Sequence, residues 1–250
     1  MILEFLDLSI LEICAAVLII FTAYTIKGLS GFGSGLVAIP LLAFFLPITF
    51  IVPVLGLLSY SGTVIQSLSL RKQVDWKVVL PLIPFSLTGI FIAVWLLSNV
   101  DARILVFVLG AFVVTYSIYS LLPAKKLQPG KQWIVLCGSF GGLVGALFGT
   151  GGPFYVLYLK TQSLNKAQFR ATIASIFLID GGARIFGYAN SGLYTPQVLT
   201  LVVVLFPVLL LGMYAGHHLH IKIDQKRFNL IISIMLMVSG AALMFKALNH

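Results

Sequence analysis

Asp180 and Arg184 stand four residues apart in Asp180-Gly-Gly-Ala-Arg184, inside an otherwise apolar run. On a helix that spacing puts both side chains on one face. A carboxylate can take up and release a proton, and a guanidinium is a planar fork suited to an oxyanion. Two glycine-rich stretches accompany this pair. The first reads Gly28-Leu-Ser-Gly-Phe-Gly-Ser-Gly35 and the second Gly145-Ala-Leu-Phe-Gly-Thr-Gly-Gly-Pro153. Each follows a long apolar run and opens a short one. Glycine lets backbone amides approach a ligand closely. A helix start adds unpaired N–H groups and the positive end of the helix dipole, which together favour anions. Pro153 suits such a first turn, where its missing N–H costs nothing. The candidate anion ligands are therefore Gly31, Gly33, Ser34 and Gly35 in the first stretch and Gly149, Thr150, Gly151 and Gly152 in the second. Arg184 joins them, as does Lys27, which directly precedes the first stretch. Asp180 is the candidate proton-coupling group, because intramembrane ionisable residues are functional-site candidates by default.

Each feature also has a plainer reading. Small residues let membrane helices pack closely. Asp180 and Arg184 could form a structural ion pair, or Arg184 could extend to the outer interface. Lys27 could simply mark the cytoplasmic end of the first run. The cluster His217-His218-Leu-His220 reads as a solvated helix end rather than a metal site. No metal site, cofactor motif or catalytic constellation is expected. Tyr60 and Val64 match Asp180 and Arg184 at an offset of 120, which favours one polar site biased toward the second half.

The elements that must position these residues follow from composition. Of the 250 residues, 60% are hydrophobic and 9% are charged, with a mean hydropathy of +1.08. A soluble domain carries about 25% charged residues. The chain therefore reads as an all-α polytopic membrane protein surrounded by lipid. Its first charges are Glu4, Asp7 and Glu12 rather than a basic leader, so the first apolar run reads as a permanent span. The net charge of +9 sits mostly in short loops, as the positive-inside rule expects, and does not call for nucleic acid. Cys14 and Cys137 lie within apolar runs and are expected to pack as small hydrophobes.

Turn-rich or charged breaks leave ten apolar segments, at 8–27, 33–47, 50–70, 78–98, 103–122, 132–147, 151–160, 171–188, 197–217 and 228–248. About 20 residues are needed to cross the hydrocarbon core, so the second and seventh are too short for full spans. The first five segments resemble the last five. Phe32-Gly-Ser-Gly35 matches Phe148-Gly-Thr-Gly151 at an offset of 116, while Pro84 and Gly89 match Pro207 and Gly212 at 123. The expected organisation is a first transmembrane repeat at 1–123, a cytoplasmic linker at 124–131 and a second repeat at 132–250. Paired glycine breaks in duplicated halves point to a transporter's binding site.

Lys and Arg set the orientation. With both termini periplasmic and an odd net number of crossings per repeat, Arg71, Lys72, Lys77, Lys125, Lys126, Lys131, Lys160, Lys166, Arg170, Lys222, Lys226 and Arg227 all face the cytoplasm. The two repeats are then inverted. Lys131 and Lys160 enclose 28 residues that must leave the cytoplasmic face and return. Two equal arms of about 21 Å fall short of the roughly 30 Å core, which predicts a broken or re-entrant hairpin. About eight to ten transmembrane segments result, with two such glycine-rich hairpins meeting in the middle.

At Gly28-Leu-Ser-Gly-Phe-Gly-Ser-Gly-Leu-Val-Ala-Ile-Pro40 and Gly142-Leu-Val-Gly-Ala-Leu-Phe-Gly-Thr-Gly-Gly-Pro153 the chain resembles the sulfite exporter TauE/SafE family of membrane permeases. Length, duplicated halves and the charged central loop agree over nearly the whole chain. The resemblance implies a bacterial inner-membrane carrier of sulfite or a small organosulfur anion, without ATP hydrolysis. It does not identify the substrate, since many members have none assigned. The leading expectation is a secondary transporter, an exporter, with protons as candidate coupling ions and no enzymatic activity. A homodimer is an allowed arrangement, though no interface signal goes beyond generic small residues. The alternatives are uptake of another small anion, an intramembrane enzyme, or a permease driven by a separate ATPase. No Gly-x-Ser-Gly arrangement occurs around Ser34, the histidines lie at a distant helix end, and no Gly-x-x-x-x-Gly-Lys-[Ser/Thr] motif occurs.

Overall fold

A computed structural model describes residues 10–30, 33–70, 73–122, 130–218 and 225–249. Among these residues there are ten helices and no strand. The helices are α1 (Ile10–Ser30), α2 (Ser34–Leu42), α3 (Ile48–Leu70), α4 (Trp76–Asn99), α5 (Ala102–Leu121), α6 (Gln132–Phe148), α7 (Gly152–Leu159), α8 (Lys166–Asn190), α9 (Pro196–His218) and α10 (Gln225–Asn249). They follow the ten apolar segments one for one. Within the described residues, α1, α4, α5 and α9 hold stretches long and apolar enough to cross a membrane. Gly31, Arg71, Lys72, Lys125, Lys126, His220, Lys222 and most of the central linker lie outside the described residues.

Capping separates two kinds of helix start. The Asp75 carboxylate accepts from Lys77 N at the start of α4, and Asp101 accepts from Arg103 N at the start of α5. Asn165 and Gln168 form a capping box on α8. Such caps satisfy N–H groups that a helix start leaves without partners. The two short helices differ. The residues before α2 and α7 are Gly33 and Gly151, and neither start has a side-chain cap. The chain turns into the first through Gly33 at φ 96° and leaves α6 through Gly149 at φ 63°. A left-handed residue with a Cβ costs about 1–2 kcal/mol, so glycine is favoured at both turns.

Both hairpins are lopsided, which corrects the expectation of equal arms. α6 and α7 have 17 and 8 residues, and α1 and α2 have 21 and 9. The reason is that Gly28 and Gly145 do not break their helices. They lie inside α1 and α6, and the breaks come later, at Gly33 and at Gly149–Gly151. Gly28 instead lets α9 come close: a Cβ there would meet the Met213 carbonyl oxygen at 2.6 Å. Cys14 is a second correction. It is exposed on α1, whereas Cys137 is buried as expected.

Glycine seams set the helix packing. α1 runs parallel to α9, with Gly212 against the Phe21 carbonyl and Gly216 against Thr25 and Gly28. α4 runs parallel to α6, with Gly138 against Leu82 and Gly142 against Ser86. α5 crosses α10 antiparallel where Gly110 and Gly240 each meet the other's carbonyl oxygen, and Ser120 bonds Ser233 at 2.6 Å. α3 lies antiparallel to α8, with Gly56 on Tyr188 and Tyr60 on Gly181. A large apolar core fills the space between α2, α3 and their neighbours, and a smaller one lies between α4, α6, α7 and α8.

Candidate functional site

The two glycine turns meet at the centre. Gly35 lies against Gly149 with backbone on backbone. Beside that contact is a cavity of about 50 Å³, room for about three to five waters at about 10–15 Å³ each. Of the residues singled out in the sequence, Lys27, Gly33, Ser34, Gly149, Thr150, Gly151, Gly152, Asp180 and Arg184 all line it. Gly35 lies behind, on an adjoining void of about 10 Å³ that also touches Arg184. Gly31 lies outside the described residues.

Asp180 and Arg184 lie one turn apart on α8, yet each has its own partner. Asp180, 3% exposed, accepts from Ser86 Oγ on α4 at 2.7 Å and from the Tyr155 hydroxyl on α7. Three helices therefore converge on one carboxylate. Arg184 Nη1 donates to the Gly145 carbonyl oxygen of α6 at 2.7 Å, so the side chain turns inward and does not extend to an interface. Its Nε is buried with no hydrogen-bond partner, and so is Thr150 Oγ1. Buried polar atoms are rarely left unpaired, because each costs about 1–3 kcal/mol. Among the described residues three such atoms occur, and two of them, on Thr150 and Arg184, belong to residues on the wall of this cavity, while Tyr194 Oη lies away from it.

The first half supplies the opposite wall. Lys27 is 5% exposed, and its ammonium donates to the Ser59 carbonyl oxygen at 2.6 Å and to Thr63 Oγ1 at 3.2 Å. In the last turn of α1, its side chain therefore turns into the protein rather than out to solvent. Ser34 Oγ and Tyr24 Oη both bond Ser59 Oγ, at 3.3 and 3.1 Å. Both halves line the polar site, with Lys27 and Ser34 from the first and Thr150, Asp180 and Arg184 from the second. Among the described residues, no three His, Cys, Asp or Glu side chains gather as metal ligands. His218 instead stacks on Tyr214 and bonds that residue's carbonyl oxygen.

Sequence reasoning missed Ser86, Tyr155, Ser59 and Thr63. A serine or tyrosine in an apolar segment reads as helix packing. One usable signal for Tyr155 was its place two residues after Pro153, in the first turn of the short helix.

A family model described as sulfite exporter TauE/SafE matches residues 16–243. The "Probable sulfite/organosulfonate exporter TauE" of Cupriavidus necator is 22% identical, over 88% of this chain and 89% of that protein. The "Probable inner membrane transporter protein TsaS" of Comamonas testosteroni is 26% identical, over 69% of this chain and 73% of the relative. A "Probable membrane transporter protein" of Haemophilus influenzae is 25% identical, over 84% of this chain and 91% of its own length. No solved structure matches the chain. With a match that covers most of its length and helices that fit a membrane, the chain belongs to the sulfite exporter TauE/SafE family of membrane transporters.

Proposed function

We propose that this chain is a secondary carrier that exports a small sulfur-containing oxyanion, such as sulfite or an organosulfonate, across the bacterial inner membrane. The observation that carries the reading is that two residues lining one central cavity, Thr150 and Arg184, each keep a buried polar atom without a partner, Oγ1 and Nε. The uncapped starts of α2 and α7 add backbone N–H groups from both halves. The anion sits between Lys27 and Ser34 on one side and Thr150, the α7 start and Arg184 on the other. Asp180 is the group through which a proton couples to this movement. The name of the Cupriavidus relative supports the substrate class.

Alternating exposure of a fixed central site needs two halves that can rock against each other. The packing supports an inverted duplication. α3 and α5 each lie antiparallel to their counterparts α8 and α10, while α1 pairs with α9 and α4 with α6. Such an exchange of partners follows when one five-helix unit is copied and inverted. Two contacts support periplasmic termini. Asp75 N donates to Thr172 Oγ1, which brings the α4 start to the α8 end that carries Lys166 and Arg170. Lys246 donates to the carbonyl oxygens of Ala43 and Phe44, which puts the α2 end beside the chain's C-terminal helix end.

The test is thermal stabilisation of purified protein by sulfite, thiosulfate, sulfate, sulfoacetate and chloride. A ligand at 100 times its Kd stabilises the folded state by about 2.7 kcal/mol. A shift selective for sulfur oxyanions, and lost in Arg184→Ala, is the expected result. A shift with none of them overturns the substrate class.

A further inference from the structure

Three charged side chains share the central cavity: Lys27 from α1, and Asp180 and Arg184 from α8. The other neighbours of Asp180 are uncharged hydroxyls. Tyr155 reaches it from α7 and Ser86 from α4, while Tyr60 of α3 packs beside it on Gly181. With all three charged groups ionised, the cavity carries one excess positive charge.

We infer that the charge of the cargo decides whether a proton travels with it: a dianion enters with one proton on Asp180, and a monoanion enters with none. The inference rests on the anion-carrier reading and deepens it. An uncompensated charge in a water-poor interior is costly. A monoanion brings the cavity to neutrality with Asp180 ionised. A dianion overshoots by one negative charge, and protonation of Asp180 removes the excess.

The hydrogen bonds around Asp180 allow this exchange. In the ionised state Ser86 donates to Oδ1 and Tyr155 donates to Oδ2. A proton taken from the aqueous phase goes onto Oδ2. The new O–H donates to the Tyr155 oxygen, and the Tyr155 hydroxyl keeps its hydrogen but no longer donates it to Asp180. Tyr155 itself lines the cavity, so its hydroxyl can turn and donate to the bound anion. Ser86 remains a donor to Oδ1 throughout. Protonation thus removes a negative charge from the wall and adds a donor to it. No bond other than O–H is made or broken, and no redox partner is needed.

The experiment is calorimetric titration of the purified chain near neutral pH, in two buffers of different ionisation heat. Sulfate serves as the dianion and methanesulfonate as the monoanion. The expected result is uptake of about one proton per sulfate and about none per methanesulfonate, with sulfate affinity falling about tenfold per pH unit above neutrality. In Asp180→Asn, proton uptake per bound sulfate drops to about none. Should that variant not fold, the comparison of the two anions on the wild-type protein still tests the proton count, and Lys27→Gln, which should keep uptake of about one proton per sulfate, tests its assignment to Asp180. Equal uptake for both anions overturns the inference, as does sulfate binding without a proton or binding of methanesulfonate alone. If no sulfur oxyanion binds, the carrier reading itself has failed.

Discussion

The backbone of Gly35 rests directly on that of Gly149. A Cβ on Gly35 would collide with the Gly149 carbonyl and stand 3.0 Å from its Cα. A Cβ on Gly149 would stand 3.3 Å from the Gly35 Cα. This contact joins the two halves of the chain at the point where their short helices begin. Any side chain there pushes one half away from the other.

Gly35→Ala and Gly33→Ala are therefore expected to fail for different reasons. At Gly35 the obstacle is backbone, which cannot rotate away, so overpacking costs about 1–3 kcal/mol and transport is lost. At Gly33 the space is open, since among the described residues only Ile26 Cγ2 lies nearby, at 3.9 Å. The cost there comes from φ 96° and is about 1–2 kcal/mol. Asparagine tolerates that region better. Thermal melts should show Gly33→Asn more stable than Gly33→Ala, with no such rescue from Gly35→Asn. Equal rescue at both positions would count against a steric role for Gly35.

The contrast between those two glycines shows what was legible in the sequence. Spacing and composition placed both glycine stretches, because a break in an apolar run is a local property. They did not separate Gly28 and Gly145, which stay helical, from Gly33 and Gly149, which turn the chain. That difference depends on what packs outside the helix: Met213 against Gly28, and the opposite hairpin against Gly149. Asp180, Arg184 and Lys27 were visible as charges out of place. Ser86, Tyr155 and Ser59 were not, since their role comes from partners 94, 25 and 32 residues away in the chain.

Asp180 depends on two donors from different helices. Ser86→Ala and Tyr155→Phe each remove one hydrogen bond to a buried carboxylate, worth about 1.5–3 kcal/mol. Both should lower the melting temperature, and the double variant should depart from additivity, because the two share one partner. Asp180→Asn combined with Tyr155→Phe should cost less than the sum of the singles. Strict additivity in a double-mutant cycle would mean that the two groups do not act on one carboxylate.

Arg184 illustrates why charge alone does not suffice. Nη1 is already committed to the Gly145 carbonyl, and Nε is buried without a partner. A lysine retains the charge but not the fork. Arg184→Lys should therefore fold and still lose anion affinity about tenfold or more, the loss of one charge-assisted bond. Arg184→Ala should lose binding altogether. Retained affinity in the lysine variant would reduce Arg184 to a point charge.

Thr150 gives a prediction in which stability and binding move in opposite directions. Its Oγ1 is buried without a partner, and its side chain lines the cavity. Valine has the same shape without the hydroxyl. Thr150→Val should raise the melting temperature of the anion-free protein, since removing an unpaired buried polar atom gains about 1–3 kcal/mol. The same change should weaken anion binding about five- to tenfold, because one neutral hydrogen bond is worth about 1 kcal/mol. Thr150→Ser keeps the hydroxyl and should bind like wild type. A purely structural hydroxyl would give lower stability with unchanged affinity, so melts with and without sulfite on the same three proteins distinguish a binding role from a packing one.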